Sequence, residues 1–407
     1  MRVIQGGVTA PSGFSAASGR AGLRKSGKAD VAIIVSDTVC NAAGVFTSNS
    51  LKAAPVIVTS EKLKLSRGKL RGVVVNSGNA NALTGEAGIR DARSMCAYTS
   101  KLLGLDESSI VVCSTGIIGR KLPMMKIYRG IRSASGAISK SLSAGSRAAE
   151  AILTTDKSKK EFAVEQTLTD GRRIRIGGMT KGSGMIAPNM KALHATTLTF
   201  ITTDAPVTEA YLRHCLERTV DETFNMVSID GDQSTNDTVL LMANGAAGGP
   251  PVRRDRFFEE ALQKVMFELA KMVAQDGEGA THLLVVEVIN AASHPDARLA
   301  AKAVVSSSLF KCAVFGSDPN VGRIASAIGN SGCTADFSRL NVWIGSKRRC
   351  RIISGGIVGA NSERAAEAMK EREVNILIDL GAGKESAIAM GCDLSYDYVR
   401  INSAYST

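Results

Sequence analysis

Short runs dense in valine and isoleucine recur along this chain, at residues 31–35, 72–75, 283–289 and 376–380, each bounded by glycine, serine or asparagine. β-Branched side chains pack well on a pleated surface, and runs this short cannot make a helix, so each is expected to be a buried strand. Between them the apolar period changes. Residues 208–224 and, most clearly, 254–273 step in threes and fours, so that Phe257, Phe258, Ala261, Leu262, Val265, Leu269 and Met272 would line one side of a helix. Another helix is expected over 295–306, with Pro295 in its first turn. Strands and helices are mixed along the chain, which makes the fold class α/β or α+β.

At 407 residues the chain can bury a large core and spans the size of about two or three domains. No apolar run reaches the length of about 18 residues that a membrane helix needs. The first thirty residues turn at once to glycine, serine and proline and hold no apolar leader segment, so a cytoplasmic location is expected. Eight scattered cysteines with no CxxC pair fit reduced thiols. Four histidines show no HxxxH or HExxH spacing, and neither a metal nor any other cofactor is expected.

The net charge of +12 could attract nucleic acid or small anions. Aromatic residues make up only 4%, too few for the stacking platforms of single-strand binders. The basic clusters Lys157-Ser158-Lys159-Lys160, Arg172-Arg173, Arg253-Arg254 and Lys347-Arg348-Arg349 are short and dispersed, and read as solvated turns. Neither a nucleic-acid nor a membrane partner is expected. Small anionic substrates are.

Several motifs carry possible chemistry. Residues 22–29 approach a phosphate-binding loop, but Ala29 replaces the metal-holding hydroxyl; no apolar strand is expected before it and a strand follows, so a solvated turn is expected. Residues 113–119, Cys-Ser-Thr-Gly-Ile-Ile-Gly, follow the apolar run 109–112. A strand running into Thr115-Gly116 either offers amides to an oxyanion or simply turns into a helix. Residues 76–82 read as a polar loop, and 230–237 resemble a calcium loop but lack its closing glutamate. Residues 245–251 read as a surface link, and the charge-rich 154–175 as a hairpin or exposed loop.

The stretch GMIAPNMKALHATTLTFITTD, residues 184–204, passes from loop-like residues into a strand at Ala195-Thr196-Thr197. The β-branched Thr196 has a restricted rotamer, and the small Ala195 leaves its carbonyl open to the Thr196 Oγ1. Attack there, followed by hydrolysis of the ester, would leave Thr196 as a new N-terminus. Its α-amine, with a pKa of about 8, could then serve as base for its own hydroxyl. A threonine that merely starts a strand is the plain alternative.

Taken together, VTAPSGF, AAGVFTSN, VVNSGNANALTG, CSTGIIGR, AILTTD, GGMTKGSGMIAPNM, FITTD, DGDQSTND, DGEGAT, VFGSDPNVGRI and YVRINSAYST occur in an order that resembles the ornithine acetyltransferase family, also called glutamate N-acetyltransferases, through nearly the whole chain. The resemblance implies a layered α/β sandwich of the N-terminal-nucleophile-like aminopeptidase type. It implies a precursor cut between Ala195 and Thr196 into chains 1–195 and 196–407, assembling as two of each. It also implies acetyl transfer from N2-acetylornithine to L-glutamate in arginine biosynthesis, through an acetyl-threonine, with acetyl-CoA as a further donor in some members. Thr196 would be the nucleophile, Thr115 and Gly116 the oxyanion stabilisers, and Thr154, Lys181, Thr196, Glu278, Asn402 and Thr407 the substrate contacts. Lys181 suits a carboxylate, Glu278 an ammonium, Asn402 polar edges, and the positive net charge suits attraction of glutamate.

Where that family passes from PNM directly to the Ala-Thr pair, this chain inserts Lys191-Ala192-Leu193-His194. Thr197 is accordingly the second candidate nucleophile, and His194 beside the cut is either a proton-transfer group or a loop histidine. The rival functions are a self-cleaving aminopeptidase or amidohydrolase, with water as acceptor, and a basic nucleic-acid-binding protein.

Overall fold

The computed structural model of the protein describes residues 1–24, 26–187, 197–345, 349–359 and 362–404. In chain order the strands are β1 (Arg2–Ile4), β2 (Phe14–Gly19), β3 (Val31–Phe46), β4 (Lys69–Asn79), β5 (Ile110–Ile117), β6 (Lys160–Thr167), β7 (Arg173–Lys181) and β8 (Leu198–Thr203). They continue with β9 (Val227–Ser228), β10 (Thr238–Ala243), β11 (Leu283–Ala291), β12 (Asn341–Ile344), β13 (Cys350–Ser354), β14 (Ile357–Val358), β15 (Glu373–Asp379) and β16 (Glu385–Cys392). The helices are α1 (Ala54–Leu65), α2 (Gly85–Leu103), α3 (Met124–Ser135), α4 (Leu142–Ala151), α5 (Glu209–Glu222) and α6 (Arg256–Gln275). After them come α7 (His294–Ser306), α8 (Ser308–Phe315), α9 (Val321–Gly329), α10 (Ser362–Ala368) and α11 (Tyr396–Ala404).

Two mixed sheets result. The first runs β1-β6-β7-β8-β10-β3-β4-β5, with β2 also pairing β3, and the second runs β14-β13-β12-β15-β11-β16-β9. Side-chain alternation assigns each strand to two cores: along β8, Phe200 joins one with Val73 and Val75, while Ile201 joins another with Leu269 and Val273 of α6. Helix α6 meets both sheets, packing on the first and against Leu283, Met390 and Cys392 of the second. On the second sheet's other face, Val286, Val288 and Ala389 pack against α7, α8 and α9.

The apolar stripe expected on α6 is present, with Phe258, Leu262, Val265, Leu269 and Val273 fully buried. Its start moves from 254 to 256 because Asp255 caps it, Oδ1 accepting the Phe257 and Phe258 amides at 2.9 and 3.1 Å. Such a cap stabilises a helix by about 1 kcal/mol.

Three readings change. A strand, β2, does precede the 22–29 turn, and its neighbouring amides are already used: Ala21, Gly22, Leu23 and Arg24 all donate to the buried Asp30 carboxylate. The amides that a phosphate would need are thus held by an internal anion. Residues 76–79, expected as loop, extend β4, because Asn76 and Ser77 are buried and hydrogen-bonded to Asn79 and Ala151 carbonyls. The 154–175 stretch does contain the β6–β7 hairpin, but Lys160 is fully buried rather than solvated.

The expected boundary at 195/196 lies outside the described residues. On either side of it, β7 and β8 are antiparallel neighbours, pairing Lys181 with Leu198 through Ile176 with Thr203. Segments 1–195 and 196–407 both contribute strands to the first sheet. Among the described residues, no helix is long and apolar enough to cross a membrane.

Candidate active site

A cavity of about 140 Å³ opens where β5, β7 and β8 meet the 230–237 loop, the turn after α6 and helix α11. Thr115, Gly116, Thr154, Lys181, Glu278 and Asn402, six of the residues singled out from the sequence, all line it. Ala195, Thr196, Thr407 and the Lys191–His194 insertion lie outside the described residues.

Thr115 and Gly116 close strand β5. Gly116 has φ +130°, and a Cβ on it would sit 2.4 Å from the Gly78 carbonyl carbon and 2.5 Å from the Asn79 nitrogen. Only glycine allows the β4 and β5 backbones to come this close. Asn236 then fixes the loop to that strand end, its Nδ2 donating to the Ala80 and Ser114 carbonyls at 2.6 and 2.8 Å. Ser114 Oγ donates to Asn76 Oδ1 at 2.6 Å, so the strand end is braced on both sides.

Lys181 is buried at the end of β7 and its Nζ donates to Thr115 Oγ1 at 3.3 Å. Burial holds its ammonium below the usual lysine range, and Lys160 adds to this, against the pull of Asp156, Asp237 and Glu278. Asp156 is the hub behind it. Burial alone would raise this carboxyl, but Lys181, Lys160 and the Gly182 amide outweigh that and keep it ionised well below the usual carboxylate range. Its oxygens accept from the Thr154 amide at 3.0 Å and the Gly182 amide at 2.7 Å.

Lys160 completes the network from below, donating to Asp156 Oδ1 and Asp276 Oδ2, each at 2.6 Å. Asp276 in turn accepts the Lys157 and Ser158 amides. One buried ammonium thereby fastens the Thr154 segment, the Lys181–Gly182 strand end and the turn carrying Glu278. Glu278 Oε2 accepts from Asn402 Nδ2 at 2.9 Å, which ties α11 to the cavity. Gly184 passes so close that a Cβ there would lie 2.5 Å from the Glu278 carboxylate.

Thr197 is the first described residue after the proposed cut. It is buried, and its Oγ1 lies 3.1 Å from Thr199 Oγ1, itself 2.6 Å from Thr180 Oγ1. The second candidate nucleophile thus belongs to a chain of buried hydroxyls.

The cavity's charge differs from that of the whole chain. Lys181 faces Asp230, Asp232, Asp237 and Glu278, so the surplus of basic residues is not concentrated in the cleft. The expected attraction of glutamate through net charge therefore does not describe the cavity itself. Asp230 accepts the Met185, Ile186 and Asp232 amides at 2.6, 2.8 and 3.2 Å, and burial nevertheless raises its carboxyl above the usual range. Tyr398 of α11 is pushed up to about 12 by burial, and by the nearby Asp230, Asp232 and Glu278.

Sequence reading missed Asp156, Lys160, Asp230, Asp232, Asn236 and Tyr398 as site residues. The 230–237 run was visible as a carboxylate-rich loop, but a comparison with calcium loops gave no reason to place it beside Lys181. Among the described residues, no cluster of His, Cys, Asp and Glu could hold a metal ion. None of the eight cysteines, all among the described residues, forms a disulfide.

A glycine-shaped strand end, a buried lysine and ordered carboxylates thus share one cleft of a mixed α/β fold. The ArgJ family model matches residues 15–407. An arginine biosynthesis bifunctional protein ArgJ of Caldanaerobacter subterraneus is 46% identical, with all of both chains covered. A glutamate N-acetyltransferase of Methanothermobacter thermautotrophicus is 45% identical, covering 100% of this chain and 99% of that one. A solved ornithine acetyltransferase complexed with ornithine, from Mycobacterium tuberculosis, is 39% identical over 46% of this chain and 98% of that one, at a TM-score of 0.43. The chain belongs to the ArgJ family, and is an acyltransferase of arginine biosynthesis.

Proposed function

We propose that this chain cuts itself between Ala195 and Thr196 and then, as chains 1–195 and 196–407, moves the acetyl group of N2-acetylornithine to L-glutamate. The observation that carries the reading is the gathering of Thr115, Gly116, Thr154, Lys181, Glu278 and Asn402 around one cavity beside Thr197. In the cut, Thr196 Oγ1 attacks the Ala195 carbonyl carbon and the peptide C–N bond breaks, leaving an ester and a free amine. Water then cleaves the ester, which frees the Thr196 hydroxyl and α-amine.

In transfer, Thr196 Oγ1 attacks the acetyl carbonyl while its proton passes to the α-amine. Thr115 and Gly116 stabilise the oxyanion. The C–N bond of the donor breaks, the proton goes to the departing ornithine nitrogen, and acetyl-Thr196 remains. The glutamate amine attacks that ester, the C–O bond breaks, and the proton returns to Oγ1. Lys181 holds a substrate carboxylate, and Thr154, Glu278, Asn402 and Thr407 position the rest. The working assembly is two of each chain in the cytoplasm, and acetylglutamate formed from acetyl-CoA and glutamate would add acetyl-CoA as a second donor.

Intact-mass measurement tests the first step: two fragments divided after Ala195 are expected, and one full-length chain from Thr196→Ala. A single uncut chain from the unmodified protein refutes it. Acetylglutamate formed from acetylornithine supports the second step, whereas release of acetate alone assigns water as acceptor and the hydrolase alternative. Transfer by uncut Thr196→Ala would move the nucleophile to Thr197.

A further inference from the structure

The cleft carries charges of both signs beside apolar side chains such as Met185 and Leu198. The groups acting on Lys181 are Asp156, Lys160, Asp237 and Glu278. Those acting on Tyr398 include Asp230, Asp232 and Glu278. Glu278 is common to both sets, and one cavity holds the Lys181 cation together with an anionic wall at the 230–232 loop. The carboxylates of that region are not equivalent. Asp230 is committed to three backbone amides and Glu278 to Asn402. Asp232 lines the same cavity, is exposed within it, and its carboxylate accepts no hydrogen bond among the described residues.

The donor and acceptor of the proposed reaction are alike at the reacting end and opposite at the other: ornithine ends in an ammonium, glutamate in a carboxylate. We propose that Asp232 is the residue that reads this distal end, drawing in the ornithine ammonium and opposing the side-chain carboxylate of glutamate. The inference rests on the acetyl-transfer reading above. With the α-carboxylate held at Lys181, an extended substrate directs its far end toward the 230–232 wall. One unpaired carboxylate there favours the acetylornithine half-reaction, and sets a higher working concentration for glutamate.

The test is steady-state kinetics on the intact protein and on Asp232→Asn and Asp232→Glu. Asp232→Asn is expected to raise KM for N2-acetylornithine about threefold to fivefold and to lower KM for glutamate by a similar factor, in line with a partly exposed charge pair. N2-Acetylnorvaline, which lacks the terminal ammonium, should show no change in KM, and Asp232→Glu should retain the preference of the unmodified protein. A loop that merely supports the fold would move all three substrates in the same direction, and that result overturns the inference. If the unmodified protein makes no acetylglutamate from acetylornithine, the acetyl-transfer reading itself fails and this inference with it.

Discussion

Lys160→Met is the most informative perturbation of the scaffold behind the cleft. The methionine keeps most of the side-chain volume, but removes the ammonium that Asp156 and Asp276 each meet at 2.6 Å. Both carboxylates are almost completely buried, at 0% and 9% side-chain exposure. Deleting one partner of such a pair leaves uncompensated buried charge and costs about 3–5 kcal/mol. With an unfolding entropy of about 2.1 cal/mol/K per residue, a cooperative unit of this size loses about 4–6 °C in Tm.

The effect depends on pH in a known sense. In the native protein Asp156 has its carboxyl held below the ordinary value, so its ionised form adds stability above the unfolded pKa near 3.8, and that stability is lost as pH falls through the folded value. Without Lys160 the Asp156 carboxyl titrates higher, so the difference between the two proteins should be largest near neutral pH and shrink toward pH 4. Thermal unfolding followed by far-UV dichroism at several pH values measures both. A Tm change below about 1 °C at pH 7, or a difference that grows on acidification, refutes the assignment of Lys160 as the charge that holds the network. Lys160→Met combined with Asp156→Asn and Asp276→Asn should be more stable than Lys160→Met alone, because the orphaned charges are gone.

Three other substitutions probe other parts of the molecule. Gly184→Ala puts a methyl group 2.5 Å from the Glu278 carboxylate, and displacing that group should lower kcat/KM on the order of 10²-fold with Tm little changed; kinetics beside a melting curve decides it. Gly116→Ala meets backbone rather than a movable side chain and demands φ +130° of an L-residue, so it should lose about 1–3 kcal/mol of stability, read by urea unfolding, and its acetyl transfer as well. Burial, with Arg298 nearby, brings the Lys302 ammonium down from 10.5 to about 8. The unfolded chain then binds more protons between those values, so stability should rise from pH 8 toward 10.5, and Lys302→Met should flatten that rise in urea titrations.

Element type was legible wherever one period dominated, as in α6 and in the buried runs of β4, β11 and β15. It faded where burial depends on partners distant in sequence. Strand β3 continues past its apolar run to Phe46, through exposed Asp37, Thr38 and Val39, because pairing with β4 resumes at Cys40 after a register shift. Lys160 sits in a run that looks solvated, yet it is buried between Asp156 and Asp276, the second more than a hundred residues away. The named site residues were reached through their surrounding motifs, since a threonine or a lysine alone carries no address. The carboxylates of 230–237 were visible, but nothing in a chain of net charge +12 shows that they converge on Lys181.

The pairing of β7 with β8 gives the proposed cut a thermodynamic consequence. The proposed cut would divide the chain in sequence only: 173–181 and 198–203 are adjacent strands of one sheet, and β8 also pairs with β10. Before the cut, unfolding and refolding are events within one molecule. After it, unfolding releases two molecules, and recovery requires them to meet, so the apparent stability gains a dependence on protein concentration. Neither piece can complete the first sheet without the other, and strand edges exposed on separation invite aggregation. The mature protein would therefore persist through slow unfolding rather than through reversible balance, and would be assembled once, as the precursor folds.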